Sequence, residues 1–314
     1  MEKIHRKIRE WYREYGRQEL PWRSVDDPYA IYVSEVMLQQ TQVKTVLERY
    51  YYPFLERFPT LKTLGDAPLD DVLKHWEGLG YYNRAKNLHK TASLVEKLPD
   101  TIEALTALPG IGKNTAHALL AFAFHQPVPV MEANVKRILC RLYRLETPTE
   151  KRLWEVAYVL LDREDAFDYN QAMMDIGATL CKPRDPECHH CPFNELCQGK
   201  EEPALYPTRK KRTQPLREQH IMLSVYNEKL SLVRRSGKFL HGLWGFSETD
   251  APLCASEYIG EVTHLYTHFK LHCKVYLYHE AECAQEYYFT VSEIRRLAIS
   301  KVDEKILELY LRNV

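Results

Sequence analysis

Apolar residues recur at the spacing of one helix face through most of the first 180 residues. Residues 2–15 begin the pattern, with apolar side chains on one face and charged side chains on the other, which predicts an amphipathic helix. Further helical patterns lie at residues 29–37, 69–76, 85–95, 116–123, 135–142, 153–161 and 169–180. The first part of the chain is therefore expected to be mainly α-helical.

After residue 217 the pattern changes to short runs that predict strands. The predicted strands are His220–Tyr226, Lys229–Arg235, Leu271–Tyr278 and Tyr287–Val291, and two predicted helices follow at Ser292–Ala298 and Asp303–Leu311. This set of elements predicts a small α/β or α+β domain.

Residues 199–217 separate the two patterns. Prolines interrupt this segment, which has few large apolar residues, so we interpret it as an interdomain linker. The sequence thus predicts a helical region at 1–198 and a smaller domain at 218–314. The linker contains the basic run Arg209–Arg212. This run is either a solvent-exposed connection or a segment that lies along the phosphate backbone of a nucleic acid.

Length and charge restrict the possible functions. The chain has 314 residues, enough for two cores, and its net charge is zero. A globally basic nucleic-acid-binding protein is excluded, so any DNA contact must come from local Lys and Arg or from backbone amides. The charged N-terminus lacks the apolar run of a signal peptide, and no stretch approaches a membrane span. We expect a soluble intracellular protein, cytoplasmic or nucleoid-associated, that binds no membrane.

A glycine-rich turn divides two helical patterns at Leu108-Pro109-Gly110-Ile111-Gly112. Thr101 is placed to cap the helix before the turn. Glycines let a backbone approach a ligand closely, and amide N–H groups at the start of the following helix suit a phosphate. The turn is therefore either a helix-hairpin-helix phosphate site or an ordinary connection between helices.

Two acidic residues are candidates for chemistry. Glu35 lies among apolar neighbours in a predicted helix, beside the hydrogen-bonding run Gln39–Gln42. Burial there would raise the pKa of Glu35 and let it hold a proton near neutral pH; the alternative is a surface residue. Glu132 follows an extended Pro-containing segment and precedes a new helix, where an acid at a helix start is the more common role.

Four of the eight cysteines are clustered in one Pro-rich loop: Cys181, Cys188, Cys191 and Cys197. Disulfides fit poorly with an intracellular chain, so we expect a metal centre held by four thiolates. The spacing permits zinc or an iron–sulfur cluster. The scattered cysteines, Cys140, Cys254, Cys273 and Cys283, are interpreted as buried or free thiols.

A glycine-flanked tip, Gly78-Leu79-Gly80, leads into Tyr81 and Tyr82. In a DNA-binding protein such a tip can wedge between bases. In any other protein the two tyrosines would be packing residues. The turn at Leu20–Arg23 places an aromatic ring beside a cation, and Trp22 taken alone is interpreted as a core residue.

Together these motifs closely resemble the MutY-type adenine DNA glycosylases over nearly the whole chain. The resemblance rests on Leu20–Arg23, Ser34–Gln42, Gly78–Tyr82, Leu108–Gly112, Asn134–Arg137, Asn170–Asp175 and the four clustered cysteines. It implies a mainly α helix-hairpin-helix glycosylase region with a [4Fe-4S] cluster on those cysteines, followed by a smaller Nudix-like α/β domain. The match to the Nudix-related domain is looser and rests on Gly242–Gly245 and Tyr266–Phe269. The Nudix hydrolase box is absent, so pyrophosphatase activity is not expected.

The resemblance implies excision of adenine mispaired with 8-oxoguanine or guanine in double-stranded DNA, and we expect a monomer. Glu35 matches the acid that protonates adenine N7. Glu132, with Asn134 beside it, occupies the position of the carboxylate that stabilises the cationic sugar. The family has Asp-Gly-Asn-Val there, whereas this chain has Glu132-Ala133-Asn134-Val135, so its acid is one methylene longer.

Other roles follow from the same resemblance. The adenine pocket is lined by Trp22, Arg23, Gln171 and Met174. Tyr81 is the wedge, with Gln40, Thr41 and Leu79 beside the 8-oxoguanine, while Tyr266, Thr267 and His268 form the loop that recognises it. A DNA phosphate is held by Gly110, Gly112 and Lys113.

Asn114 occupies the place where relatives of the endonuclease III type carry a lysine that forms a Schiff base, which implies hydrolysis without strand cleavage. An endonuclease III-like lyase and a catalytically weak lesion-binding relative are the two alternatives. The cluster is expected to serve DNA docking and local folding.

Overall fold

The computed structural model describes residues 1–208, 213–237, 239–280 and 287–314, so Arg209–Arg212 and Cys283 lie outside the described residues. The α-helices are α1 (Glu2–Tyr15), α2 (Pro28–Leu38), α3 (Val43–Arg49), α4 (Tyr51–Arg57), α5 (Leu61–Asp66), α6 (Leu69–His75), α7 (Asn83–Leu94), α8 (Ile102–Thr106), α9 (Lys113–Phe122), α10 (Ala133–Leu142), α11 (Glu150–Leu160), α12 (Ala166–Thr179), α13 (Val291–Ile294) and α14 (Lys301–Asn313). The strands are β1 (Leu216–Tyr226), β2 (Lys229–Ser231), β3 (Val233–Arg234), β4 (Trp244–Gly245), β5 (Ser247–Thr249), β6 (Glu257–Leu265), β7 (Lys270–His279) and β8 (Tyr288–Phe289). In the described part of the chain, no helix has the length and apolar character that spanning a membrane requires.

The described chain divides into two compact units. The first contains residues 1–51, 58–65 and 90–208, and the second contains residues 52–57, 66–89 and the described residues from 213 to 314. Residues 66–89 thus pack with the C-terminal sheet, although they lie within the helical part of the sequence. The division groups residues by how they pack and not by their order along the chain, so it does not test the linker at 199–217. That linker stays a prediction.

Side-chain caps set two helix starts in the first unit. Asp27 accepts a hydrogen bond from the Tyr29 amide (3.0 Å) where α2 begins. Thr101 accepts one from the Ala104 amide (3.4 Å) where α8 begins, as the sequence predicts. Caps of this kind stabilise a helix by about 0.5–2 kcal/mol. They fix the helix that contains Glu35 and the helix that leads into the glycine-rich turn.

The predicted amphipathic helix α1 packs against α12, and residues of α10 and α11 complete the core of the first unit. Ile8, Leu139 and Ile176 are fully buried in this core. Burial of each such side chain stabilises the fold by about 1.5–3 kcal/mol. The prediction of a mainly helical first region is confirmed.

The second unit contains a mixed sheet in the order β6-β7-β1-β2-β8, with β5 also paired to β1. β1 and β7 run parallel, and the other pairs in this sheet are antiparallel. Buried residues alternate along β7, so that Val275 joins Leu223 of β1 and Ile306 of α14 in one core. The expectation of a smaller domain that combines strands and helices is confirmed.

Details of this unit differ from the sequence prediction. β6 is absent from the prediction because Gly260 and the exposed Tyr258 and Leu265 hide its alternation. The predicted strand Lys229–Arg235 is split, since β2 pairs with β1 whereas β3 pairs with β4. The predicted helix Ser292–Ala298 is the single turn α13, which a capping box at Thr290 starts one residue earlier.

Residues 74–82 pack against the segment 297–300 within the second unit. The amide of Ile299 donates to Glu77 (3.2 Å), and the carbonyl of Ile299 accepts from the Tyr82 hydroxyl (3.1 Å). Lys74 donates to the carbonyl of Leu297 (3.1 Å). These bonds fix the glycine-flanked tip to the C-terminal part of the chain.

Candidate active site

A cavity of 330 Å³ in the first unit is lined by all of the residues that the sequence predicts for adenine and its sugar: Trp22, Arg23, Glu35, Glu132, Asn134, Gln171 and Met174. Gln40 and Thr41, predicted to lie beside 8-oxoguanine, line the same cavity. They come from separate helices and from the turns beside them. The two candidate acids, far apart in sequence, therefore share one cavity.

Glu35 lies on α2, a helix whose side chains are nearly all buried. The pKa of Glu35 is raised to about 8, mainly by burial and also by the charge of Glu132, while the charge of Arg23 opposes the rise. An acid with this pKa keeps its proton at neutral pH. Glu35 is thus not the solvent-exposed helix residue of the alternative interpretation.

Glu132 is the residue before the first turn of α10, in an extended conformation, and its side chain makes no capping hydrogen bond. Burial raises the pKa of Glu132, while the charge of Lys136 and the Ala133 amide act against that rise. The carboxylate is therefore placed at a helix start without serving as a cap. Its environment favours the ionised form more than that of Glu35 does.

Arg23 is held by Asp175, a buried acid whose sequence context indicates no role. The guanidinium donates two hydrogen bonds to the Asp175 carboxylate (2.7 and 2.8 Å), and Arg17 donates to the same group from its backbone and side chain, each at 2.8 Å. Asp175 has no exposed surface. Although burial acts to raise the pKa of Asp175, the two arginines hold it below its ordinary value. The pairing fixes a cation in the cavity wall.

Trp22 and Gln171 combine burial with access to the cavity. Trp22 packs edge-to-face on Tyr51 at 5.2 Å and is both a core residue and a cavity residue. Gln171 is buried, and within the described chain its Oε1 atom has no hydrogen-bond partner, nor does the Nε atom of Arg23. A buried acceptor and a buried donor thus remain available at the wall for a polar ligand.

Asn134 connects the cavity to the cysteine loop. Its Oδ1 atom accepts from Arg137 (2.8 Å), which also donates to the carbonyls of Gly177 (2.6 Å) and Cys181 (2.7 Å). Helix α12 comes so close that a Cβ atom at Gly177 would lie 2.5 Å from that of Asn134. The start of α10, the end of α12 and the first cysteine therefore form one hydrogen-bonded assembly.

The glycine-rich turn leads directly into α9 and lies apart from the cavity lining. Gly110 has a φ of 74°, which other residues rarely adopt, and α9 begins directly after Gly112. Lys113 lies over the ring of Trp154 at 4.3 Å. The Oδ1 atom of Asn114 is buried there and lacks a partner among the described residues.

A second cavity, of 570 Å³, lies within the second unit and is lined by Tyr81 and by Tyr266, Thr267 and His268. The hydroxyls of Tyr81 and Thr267 are hydrogen-bonded to each other. Gln40 and Thr41 line the other cavity, and Leu79 is buried and lines neither. The residues predicted to contact 8-oxoguanine are therefore divided between the two units.

The four clustered cysteines line one small cavity together, and none of them forms a disulfide. Burial raises the pKa of Cys191 to about 12, and burial also raises the pKa values of Cys188 and Cys197. Arg141 donates to the sulfur of Cys181 (3.3 Å). No group of three or more His, Cys, Asp or Glu side chains in the described chain has a geometry that could hold a metal ion.

Comparison with known proteins identifies the class. Residues 33–159 match the model of the HhH-GPD superfamily base excision DNA repair protein. A solved structure of a thermostable thymine-DNA glycosylase aligns with a TM-score of 0.59 at 28% identity, over 64% of this chain and 98% of that one. The helical unit thus has the fold of the HhH-GPD superfamily.

Two curated relatives narrow the class to a family. An adenine DNA glycosylase of Rattus norvegicus is 32% identical in an alignment that covers 98% of this chain and 78% of the relative. One of Buchnera aphidicola subsp. Baizongia pistaciae is 41% identical over 204 residues, which cover 62% of this chain and 58% of the relative. The chain belongs to the adenine DNA glycosylase family. It spans 56–62% of the length of the Buchnera relatives that it matches.

Proposed function

We propose that this protein hydrolyses the N-glycosidic bond of adenine paired with 8-oxoguanine or guanine in double-stranded DNA, without cleaving the strand. The main support is the cavity that Glu35 and Glu132 share, in which the charge of the second raises the pKa of the first. Membership of the adenine DNA glycosylase family supports the substrate class.

Adenine must leave the base stack to reach such a cavity, and flipping it out costs about a few kcal/mol. The cavity of 330 Å³ has room for a purine. There Trp22 and Met174 contact the base, and the unpaired Oε1 atom of Gln171 accepts a hydrogen bond from its amino group. The amides around Gly110 and Gly112, with Lys113, hold a phosphate of the strand.

Cleavage of the bond leaves positive charge on the sugar and negative charge on the departing base. Glu35, protonated at neutral pH because its pKa is about 8, gives its proton to adenine N7 as the C1′–N9 bond breaks and its electron pair leaves with the base. Glu132 stabilises the cationic sugar as a carboxylate until water adds. Two acids with separated pKa values suit this division of roles.

A duplex containing adenine opposite 8-oxoguanine tests the proposal directly. Single-turnover incubation with the wild-type protein followed by alkali should break the strand at the adenine. Glu35→Gln should slow this release by about 10²- to 10⁴-fold, the usual contribution of a general acid. Unchanged release in Glu35→Gln would contradict the proposed chemistry. Tight binding of the duplex without any release would favour the lesion-binding alternative, which the longer Glu132 side chain suggests.

Asn114 supports hydrolysis without a lyase step, because an amide nitrogen does not form a Schiff base with the sugar. Borohydride treatment of the reacting complex should therefore trap no covalent DNA adduct that depends on Asn114. An adduct lost in Asn114→Ala would instead favour the endonuclease III-like lyase.

We assign recognition of 8-oxoguanine to the second unit, as a Nudix-like domain in which Thr267, flanked by Tyr266 and His268, contacts the lesion and Tyr81 wedges into the stack. The shared cavity and the bond between the Tyr81 and Thr267 hydroxyls support this assignment. Thr267→Val keeps the side-chain shape and should lower the preference for 8-oxoguanine over guanine by about tenfold, since one hydrogen bond contributes about 0.5–1.5 kcal/mol. Thr263→Val on β6 is the matched control. Equal preference in both variants would contradict the assignment.

We also propose that the four cysteines hold a [4Fe-4S] cluster. All four thiols line one cavity. No set of them in the described chain has the geometry to hold a single metal ion, whereas a cluster needs only one thiolate for each iron. Thiols bind a metal centre as thiolates, and the positive charge of the bound centre would favour their ionisation. Arg141 donates to Cys181 and holds the first ligand in place. The loop would then serve folding and DNA docking.

A further inference from the structure

The backbone that leads into Glu132 is held by one side chain, that of Asn170. Its Oδ1 atom accepts from the Val130 amide (2.9 Å), and its Nδ2 atom donates to the carbonyls of Val128 (2.9 Å) and Ala166 (2.8 Å). Asn170 is 1% exposed. One carboxamide thus pairs with a donor and an acceptor on the same extended segment, as a neighbouring strand would.

The sequence of this segment explains why a side chain supplies the pairing. Pro129 has no amide hydrogen, so residues 128–130 cannot form a regular ladder with another strand. Val130 and Met131 are buried, so their backbone groups need partners inside the protein. Asn170 supplies a partner for the Val130 amide, two residues before Glu132, and for the Val128 carbonyl.

We infer that Asn170 is a positioning residue, which sets how far the carboxylate of Glu132 reaches into the cavity. The inference rests on the proposed function, because it assigns to Asn170 the placement of the acid that stabilises the sugar. The next residue on the same helix, Gln171, lines the cavity wall. Helix α12 therefore carries Gln171, the proposed contact to the base, and positions Glu132, the proposed contact to the sugar, through Asn170.

Placement has a large effect on rate in such a site. A reacting group displaced by about 1 Å can cost on the order of a hundredfold. In Asn170→Ala the 128–130 segment loses its pairing and Glu132 is free to shift, so single-turnover release of adenine should fall by about that factor. Binding of the duplex should change much less, because Asn170 itself does not line the cavity.

A change in pH dependence separates positioning from general destabilisation. If Glu132 moves away from Glu35, its charge raises the pKa of Glu35 less, so the loss of activity at alkaline pH should begin at lower pH in Asn170→Ala. Ile8→Ala is the control, because Ile8 is fully buried in the core of the same unit and lines no part of the cavity. It should lose stability without a shift of the pH profile.

The decisive measurement is the single-turnover rate per folded molecule from pH 5 to pH 10 for the wild type and both variants. A rate for Asn170→Ala equal to that of the wild type, or an unshifted profile with a loss no larger than in Ile8→Ala, would overturn the inference. If Asn170→Ala does not fold, Asn170→Ser, which keeps one hydroxyl in place of the carboxamide, is judged by the same two criteria. Failure of the wild type itself to release adenine would instead refute the proposed function.

Discussion

The carboxylate of Glu132 raises the pKa of Glu35 across the cavity that both residues line. Burial is the larger cause of that rise, and Arg23 opposes it. The consequence is an acid that keeps its proton at neutral pH beside a second acid whose surroundings favour ionisation more. The two side chains are therefore suited to opposite tasks in one reaction.

The pH dependence of excision should follow Glu35. With a pKa of about 8, the acid is protonated below that pH, and the single-turnover rate should fall as the pH rises through it. Because the pKa of Glu35 is raised from 4.5, the stability that its protonated form contributes is complete below about pH 4.5 and is lost as the pH rises from there to about 8. Glu35→Gln should therefore release adenine about 10²- to 10⁴-fold more slowly but resist heat better than the wild type above pH 8. A wild-type rate that stays constant from pH 7 to pH 10 would contradict this prediction.

Replacing Glu132 should change both rate and pH profile. Glu132→Gln removes the charge that raises the pKa of Glu35, so whatever activity remains should be lost at lower pH. Glu132→Asp restores the acid found in the family and keeps the charge. We expect it to retain or exceed the wild-type rate, because it keeps the negative charge and returns the acid to the side-chain length that the resemblance implies for this position. Identical pH profiles in the wild type and Glu132→Gln would argue against the coupling.

Asp175→Asn should destabilise the first unit. Arg17 and Arg23 would keep their charges without a buried partner, and breaking such a pair costs about 3–5 kcal/mol. Because the arginines lower the pKa of Asp175, its contribution is present above the ordinary Asp pKa of about 3.9 and is lost as the pH falls below that value. The difference between wild type and variant should therefore be large at pH 7 and small in strong acid, as measured by urea unfolding.

Asp165→Asn is the matched control for this experiment. Asp165 precedes the first turn of the same helix, and its side chain makes no capping hydrogen bond. We expect a change within about 0.5 kcal/mol, as for most surface substitutions. A similar loss in both variants would mean that the paired arginines contribute little.

Cys188→Ser should remove the visible absorbance of a bound iron–sulfur cluster and weaken both folding and DNA binding. The reason is that a four-thiolate centre loses one ligand and the loop loses its closure. Cys254→Ser is the control, since Cys254 is exposed and lies outside the set that lines the cysteine cavity. A colourless wild-type protein with full DNA affinity, or a Cys188→Ser variant that matches the control, would count against the cluster.

Periodicity predicted the helical region and the glycine motif predicted the turn, because these features are local in sequence. Glu35 and Glu132 lie far apart along the chain, so only the resemblance to a known family, and no local pattern, indicated that they act together. The ion pair between Asp175 and Arg23 was not predicted, because the two residues lie 152 positions apart and nothing in the sequence around either one indicates the other. The same holds for Asn170 and the 128–130 segment. β6 escaped because large apolar residues, Tyr258 and Leu265, occupy exposed positions and Gly260 interrupts the strand, so the apolar alternation that indicates a strand is lost.

The hydrogen bonds of Glu77 and Tyr82 to Ile299 have a practical consequence for engineering. A protein truncated after residue 217 would retain the tip with Tyr81 but lose the backbone to which that tip is anchored. Any defect of such a fragment would combine the loss of the proposed 8-oxoguanine contacts with a change in the position of Tyr81. Point substitutions such as Thr267→Val separate these two contributions, whereas excising the domain merges them.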